Sequence, residues 1–470
     1  LMQLSGVNDF GGGNDVFNNS ATGVLSILPS SGPLSLTSLE TFNNAGLIDL
    51  ANGMAGDVLS ISGTLNSTAG SRIQLDVSLA GATPVADRIN VGALSGTSVL
   101  QVQMQGQGRL GETGVTLVDS AAGQTGQEFT VQTIDGGFLD YDLAYDAGTS
   151  SYQLVGELAV QAFEPTKVAS GAQTQWRKGA DVVTARLADL RDGHALTGPN
   201  RGQVWAQGFG GEESLDGRNN LSGTGGDLSV DVTAHGFQIG ADIEQAFAGG
   251  QATIGGVIGA GRTKLTFDGN GDRSEFESTS VGVYGQWTQG PLTIGGLVKG
   301  EFHDLTYDWA SADLSDEADG ETWGAMLNVS ARLPLAGAWF AEPDAGVTWN
   351  TTDLDGISDA AGTVTFGDTE SLIRRFGLRT GATIRTASGA VVQPYAGLHV
   401  NREFDGDNRS TLTLGAARTE VADEGRRTWA EAALGVNVQG KAGLGGFAQV
   451  EALGGDIEGY GVRIGARFSW

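Results

Sequence analysis

Few residues in this chain are spaced for covalent chemistry. There is no cysteine, which excludes a disulfide framework, a thiolate nucleophile and a thiolate metal site. The histidines number four and all fall from His194 onward. Ser98, in the small-residue setting Gly96-Thr97-Ser98, therefore has no histidine in the first third of the chain to activate it, and it runs straight on into the strand-like Val99-Leu100. No serine sits in a Gly-x-Ser-x-Gly turn. Gly11-Gly-Gly-Asn-Asp15 has the composition of a calcium-binding repeat, but such repeats work in tandem arrays and a single copy reads as a plain turn. No catalytic residue, cofactor site or metal site is predicted.

What the sequence does space regularly is charge. Pro165 to Asp192 reads as one long helix, opened by Pro165-Thr166 and closed by Gly193, with no wide apolar stripe. It carries Arg177, Asp181, Arg186, Asp189, Arg191 and Asp192. Arg177 and Asp181 are four apart and Arg186 and Asp189 three apart, spacings that bring opposite charges together on a helix. A helix this polar is either solvated or housed in a polar cavity. Gly171, Ala172, Gly179 and Ala180 would let it fit a narrow passage.

Downstream the charges take a period of two. Gln238, Asp242 and Glu244 oppose Ile239, Ala241 and Ile243. Arg375 and Arg379 oppose Leu372, Phe376 and Leu378, and Glu431 opposes Ala430, Ala432 and Leu434. Glu451 belongs to the same inward set. In the terminal Gly459–Trp470 stretch Tyr460, Val462, Ile464, Phe468 and Trp470 point one way and Arg463 and Arg467 the other. A soluble sandwich would put the charged face in water and the apolar face in a core. An outer-membrane barrel would put the apolar face in lipid and the charges in a wet lumen. The last strand alone fits either.

The connections separate the two. From Arg201 to Trp470 about twelve strands can be counted, an even number as bacterial outer-membrane barrels require. Short turns (246–249, 290–291, 334–338, 388–389, 440–442) alternate with longer polar loops (212–228, 308–319, 353–369, 405–423), the pattern of periplasmic turns against external loops. No apolar run reaches the roughly 18–20 residues of a membrane helix, which says nothing of membrane strands.

Residues 1 to about 165 are short strand-like runs broken by Gly, Asn, Asp and Ser. Phe17-Asn18-Asn19 recurs as Phe42-Asn43-Asn44, a spacing in the range of repeat architectures, so a right-handed parallel β-helix is predicted for 1–114; a β-sandwich of similar strand lengths is the alternative. From Val115 the strands lengthen and carry the aromatics, as expected of a cap over the last rung (115–164). The formal net charge of -28, from 27 Lys+Arg against 55 Asp+Glu, excludes a nucleic-acid partner, whose phosphates demand a basic face. Leu1 begins inside folded-looking sequence, so a longer precursor is expected.

In this order (β-helical end, cap, polar helix at 165–200, barrel at 201–470, terminal Phe468-Ser469-Trp470) the chain resembles the classical autotransporters of type V secretion. Ala188-Asp-Leu-Arg-Asp192 is similar to the charged stretch of the family's lumenal helix. The resemblance implies an all-β protein in the bacterial outer membrane, with a monomeric twelve-stranded barrel that displays its own N-terminal passenger at the cell surface. It also implies that residues 115–160 match the family's autochaperone region, and that Tyr460, Val462, Ile464, Phe468 and Trp470 form the signal read by the barrel-assembly machinery after periplasmic chaperones deliver the chain. An adhesin-like passenger with a host or surface ligand is the expectation, and an enzymatic passenger (protease or esterase) whose active site lies upstream of Leu1 is the alternative. A passive porin is disfavoured by the stalk and the polar helix. One departure stands out: the family's self-cleavage inside the pore uses a helical asparagine, and 165–193 contains none, so the passenger is expected to stay attached. Contacts are expected between Asp181, Arg186 and Asp189 and the inward Glu244, Arg375, Arg379, Glu431, Glu451, Arg463 and Arg467.

Overall fold

Phe17 and Phe42, the heads of the repeated Phe-Asn-Asn, lie side by side in parallel strands, their rings stacked with centroids 4.8 Å apart. The computed structural model describes residues 1–28, 33–79, 83–105, 114–121, 124–131, 134–135, 137–194, 201–216, 228–359, 362–414, 417–423, 425–440 and 443–470. They form two compact units, one mainly of residues 1–159 and the other mainly of residues 160–470.

In the first unit three columns of side chains recur rung after rung. One runs Leu25, Ile48, Ile73, Leu100. A second runs Leu34, Leu59, Ile89, Val118, and a third runs Phe17, Phe42, Leu65, Leu94. All the pairings are parallel, so the unit is a β-solenoid and the sandwich reading falls. The first two columns are fully buried, and burying each such side chain stabilises by about 1.5–3 kcal/mol. Beside the Phe column the asparagines form a ladder. Asn19 donates to Asn44 at 2.8 Å, Asn43 to Asn18 at 2.8 Å and Asn66 to Asn43 at 2.9 Å. Ser98 is buried and bonded to Ser71 at 2.9 Å, a structural role.

After Val115 the pairing switches to antiparallel. Val115–Ser120 pairs with Ser151–Leu158, which pairs in turn with Leu139–Asp146. This hairpin closes the last rung and lays Tyr152 against Phe129.

The second unit opens with helix α1 (Pro165–His194). Twelve antiparallel strands follow: β1 (Arg201–Leu215), β2 (Val230–Phe247), β3 (Gly250–Phe267), β4 (Arg273–Gln289), β5 (Leu292–Trp309), β6 (Leu314–Ala331), β7 (Trp339–Leu354), β8 (Thr369–Ala382), β9 (Val391–Asp405), β10 (Thr428–Gln439), β11 (Leu444–Gly455) and β12 (Ile457–Ser469). Each pairs with the next and β12 pairs with β1, which closes a barrel. Apolar side chains face outward, among them Phe237, Ile258, Val283, Leu327, Phe376, Leu398 and Ile464, all exposed. The inward set is polar and buried, including Gln207, Gln238, Asp242, Lys299, Glu301, His303, Asn401 and Asn437. A wall that is apolar outside and polar inside suits lipid, not water.

Three of the expected loops are not loops. Residues 308–319 are mostly strand, because β5 and β6 extend beyond the apolar belt and meet at Ala310–Ala312. Segments 353–369 and 405–423 hold Ile357–Asp359, Gly362–Phe366, Asn408–Leu414 and Ala417–Asp423, which form their own four-stranded sheet. Short alternating runs are present here, Thr363-Val364-Thr365-Phe366 and Thr411-Leu412-Thr413-Leu414, with the apolar side chains buried, but each is only a few residues long and set among Asp, Ser and Gly.

The cap carries a titratable clasp. The Glu128 carboxylate accepts from Thr125 N at 2.9 Å, Thr125 Oγ1 at 2.7 Å, Gly126 N and Gln127 N at 3.1 Å, and the Tyr152 hydroxyl. Burial alone would raise its pKa, but Tyr152, Thr125 and the N–H groups hold it down at about 2. A depressed carboxyl contributes stability above its ordinary 4.5 that is lost as pH falls toward 2. In Glu128→Gln the cap should be cleaved faster than in the parent chain at neutral pH, and the difference should vanish near pH 2. Pulse proteolysis, with thermolysin at neutral pH and pepsin in acid, measures this; a difference unchanged by acid contradicts it.

Candidate functional site

Helix α1 lies in the lumen against one wall. Trp176, Ala180, Val183, Leu187 and Leu190 form a stripe with about one apolar residue per turn. It packs on Trp205 of β1, Val257 of β3, Tyr284 of β4, Leu297 of β5 and Met326 of β6. The helix has no wide apolar stripe, as expected, but it does carry this narrow one, with charged residues on either side of it. Two glycines permit the close approach. A Cβ at Gly171 would lie 2.4 Å from Leu265 Cδ1, and one at Gly179 would lie 2.5 Å from Lys299 Nζ. The wall also bonds the helix backbone. Lys299 Nζ donates to Trp176 O at 2.9 Å and Gln238 Nε2 to Gly179 O at 3.0 Å, while Trp176 Nε1 donates to Lys299 O at 3.1 Å.

Ion pairs then fix the helix along its length. Near its N-terminus Lys167 meets Asp423 at 2.8 Å. About three turns further in, Arg177 and Lys178 both bind Glu213, Lys178 at 2.7 Å. Arg186 bonds Asp242 at 2.9 Å, with neither side chain exposed at all. Arg186 also donates to Gln203 at 3.0 Å, and Asp242 accepts the Tyr284 hydroxyl at 2.7 Å, which itself accepts from Trp205 Nε1 at 2.7 Å. Toward the C-terminus Asp189 accepts from Arg463 at 3.1 Å and Asn437 at 3.3 Å, and Arg463 also donates to Tyr395 at 3.1 Å.

The face of α1 turned from the apolar wall is different. Asp181 lies 3.6 Å from Arg375, which also binds Glu431 at 3.1 Å. These residues line a cavity of about 120 Å³ together with Glu451, His399, Asp344 and Arg379. It is polar and roomy enough for several waters. The helix is thus seated on β1–β6 and faces a charged pocket on β7–β12.

The expected site residues fall as follows. Arg177 and Asp181 are 3.8 Å apart on the helix. Arg186 and Asp189 do not pair with each other; each reaches a different strand of the wall. Arg379 lies 3.9 Å from Glu342 and rests on the Tyr395 ring, and Glu451 accepts from Gln449 at 3.1 Å. Arg467 donates to Gln439 at 2.8 Å and Asn437 at 2.7 Å. Glu244 is buried on the inward face. Tyr460, Val462, Ile464, Phe468 and Trp470 all point outward and are exposed. The side chains of Arg191 and Asp192 lie outside the described residues. Lys167, Lys178, Glu213 and Asp423 anchor the helix and were not singled out from the sequence, and Asp242, placed on the polar face of its strand, was not among the expected helix contacts. Asp242 had the inward parity that could have found it, whereas Glu213 and Asp423 sat in expected loops.

Removing one partner of a fully buried pair leaves an uncompensated charge, at a cost of about 3–5 kcal/mol. Arg186→Ala should therefore unseat α1 and raise the leak current of the barrel in planar bilayers. Arg375→Ala should change it little, because Asp181 opens onto the polar cavity. Equal currents in the two variants would contradict this ranking.

Comparison with known proteins follows the same division of the chain. The autotransporter β-domain family model matches residues 204–451. Pertactin autotransporter of Bordetella bronchiseptica is 29% identical over 277 residues, 56% of this chain and 28% of the relative. BrkA autotransporter of Bordetella pertussis is 28% identical over 335 residues, 69% of this chain and 31% of the relative. Autotransporter adhesin AIDA-I of Escherichia coli is 25% identical over 393 residues, 74% of this chain and 30% of the relative. The chain thus spans less than a third of the length of these relatives. Among solved structures, the β-domain of the Bordetella autotransporter BrkA matches with a TM-score of 0.47 and 25% identity, covering 57% of this chain and 99% of that one.

Proposed function

Because this chain belongs to the autotransporter β-domain family, whose members are outer-membrane translocators, we propose that its barrel delivers its own N-terminal solenoid to the cell surface and keeps α1 behind as the plug. One observation carries this reading. The helix that fills the lumen is continuous in sequence with the solenoid, and its N-terminal end lies at the long-connection mouth, where Glu164 accepts from Asn270 at 2.6 Å. A chain that had passed outward through the barrel would be left in this arrangement, with its last translocated residues just outside and the helix inside.

The solenoid is read as the end of an adhesin-like passenger. A stack of rungs presents long repetitive faces and no spaced catalytic group, and one relative, AIDA-I, is named an adhesin. The competing reading, an enzymatic passenger, places its active site upstream of Leu1, so the precursor sequence discriminates. The outward Tyr460, Val462, Ile464, Phe468 and Trp470 are the proposed contact for the barrel-assembly machinery. The lumenal helix lacks an asparagine, so the passenger remains joined to the barrel.

A chain carrying an epitope ahead of Leu1 tests the proposal in intact cells. The epitope should be removed by added protease, and before treatment it should migrate with the full chain in strains lacking surface proteases. Protection of the epitope in intact cells overturns the display reading, and a discrete barrel-only fragment overturns the attached passenger.

A further inference from the structure

The outward charges above the apolar belt are not distributed evenly. Along β2–β5 each outward Arg or Lys faces an acid directly across the ladder. Arg262 opposes and binds Glu277, Lys264 opposes Glu275, and Arg273 opposes Asp308. On β8 and β9 the rule is broken. Arg374 lies directly opposite Arg402. The residues flanking this pair in register are Val347 on β7 and Thr428 on β10, neither of them acidic.

Both arginines are exposed, and among the described residues neither forms an ion pair. Of the acids on β9, Glu403 is buried and bonded to Ser371, and Asp405 is in register with Leu372; neither binds either guanidinium. Like charges directly opposite on a sheet are destabilising. Here both guanidinium groups are gathered on one aromatic ring, Arg374 at 4.5 Å and Arg402 at 5.6 Å from the Phe404 centroid. That arrangement leaves two planar forks of donors beside one ring with no anion paired to them among the described residues.

Depth indicates what would fill the gap. The outward pair immediately toward the short-turn end is Phe376 and Val400, then Leu378 and Leu398, all exposed on the lipid-facing wall. A ligand held by the arginines would have its apolar part on that belt and its anionic part at the belt's outer edge. Guanidinium pairs match phosphate oxygens through two parallel hydrogen bonds. We propose that Arg374, Arg402 and Phe404 form a docking site for a phosphate group of an outer-leaflet glycolipid, whose acyl chains lie on Phe376, Leu378, Leu398 and Val400. The site rests on the outer-membrane reading of the barrel, but it is separate from the lumen and from translocation.

The test uses the full chain purified in detergent and reconstituted into nanodiscs of phosphatidylcholine doped with lipopolysaccharide, dephosphorylated lipopolysaccharide or phosphatidylglycerol. Lipid retained after detergent extraction is read by native mass spectrometry, for the parent chain, R374A/R402A and R374K/R402K. Heat-modifiable gel mobility confirms that each variant is folded. If each arginine contributes about fivefold at an anionic lipid surface, the double alanine variant should retain lipopolysaccharide about thirtyfold less tightly. The lysine variant should fall between, because it keeps the charge and loses the fork. Inorganic phosphate should compete only weakly. Equal retention by the parent and R374A/R402A overturns the site, and so does equal retention of phosphorylated and dephosphorylated lipid. Retention of phosphatidylglycerol as strong as that of lipopolysaccharide overturns the glycolipid as its occupant. If surface display of the solenoid fails while lipid retention holds, the translocation reading falls and this one stands.

Discussion

A closed strand wall leaves the charges that face its lumen dependent on one another. The pair formed by Arg186 and Asp242 is the clearest case, with both side chains wholly withdrawn from solvent. Such a pair gains little net stability over apolar residues of the same shape, because desolvation cancels most of the attraction. What it does is make other positions costly: a helix rotated or shifted by one turn would leave both charges buried and alone. Position along the lumen is therefore fixed by the ladder of counter-charges, Asp423, Glu213, Asp242 and Arg463, more than by apolar contact.

The apolar stripe supplies the complementary constraint. Trp176, Val183 and Leu187 choose the β1–β6 wall, and the charges choose the height. Seating the helix on one side leaves the polar cavity beside Asp181 and Arg375 on the other. A helix held this way can be dislodged by a change at a single buried residue, yet tolerates changes facing the cavity. The solenoid works by a different economy. Its columns repeat rung on rung, so its stability accumulates with length, and the antiparallel cap ending at Leu158 closes the stack.

Much of this was legible in the sequence, for reasons that can be named. Strand period and lipid exposure impose opposite characters on the two faces of each strand, so Tyr460 to Trp470 announced both faces. Identical residues stack in a solenoid, so the Phe17 and Phe42 repeats gave the rung length directly, and the register pairs them residue for residue. The strand extensions at 308–319, 353–369 and 405–423 were missed because their alternating runs are only a few residues long and set among Asp, Ser and Gly. The stripe on α1 was missed because Arg177, Asp181, Arg186 and Asp189 interrupt it. Arg463 was among the inward charges expected to meet the helix, and it meets Asp189, but Asp242 as the partner of Arg186 was not expected. Helical spacing also allowed Arg186 and Asp189 to pair with each other, and the choice between partners depends on barrel register, which local sequence does not encode.

The most direct test of the helix seat is a double-mutant cycle on Arg186→Met and Asp242→Leu, read as the free energy of unfolding the reconstituted chain. A pair that acts through mutual compensation predicts that each single variant is strongly destabilised while the double variant recovers most of the loss, with a coupling of a few kcal/mol. Additive effects, with the double variant as poor as the sum of the singles, would mean that the two charges do not hold α1 in place.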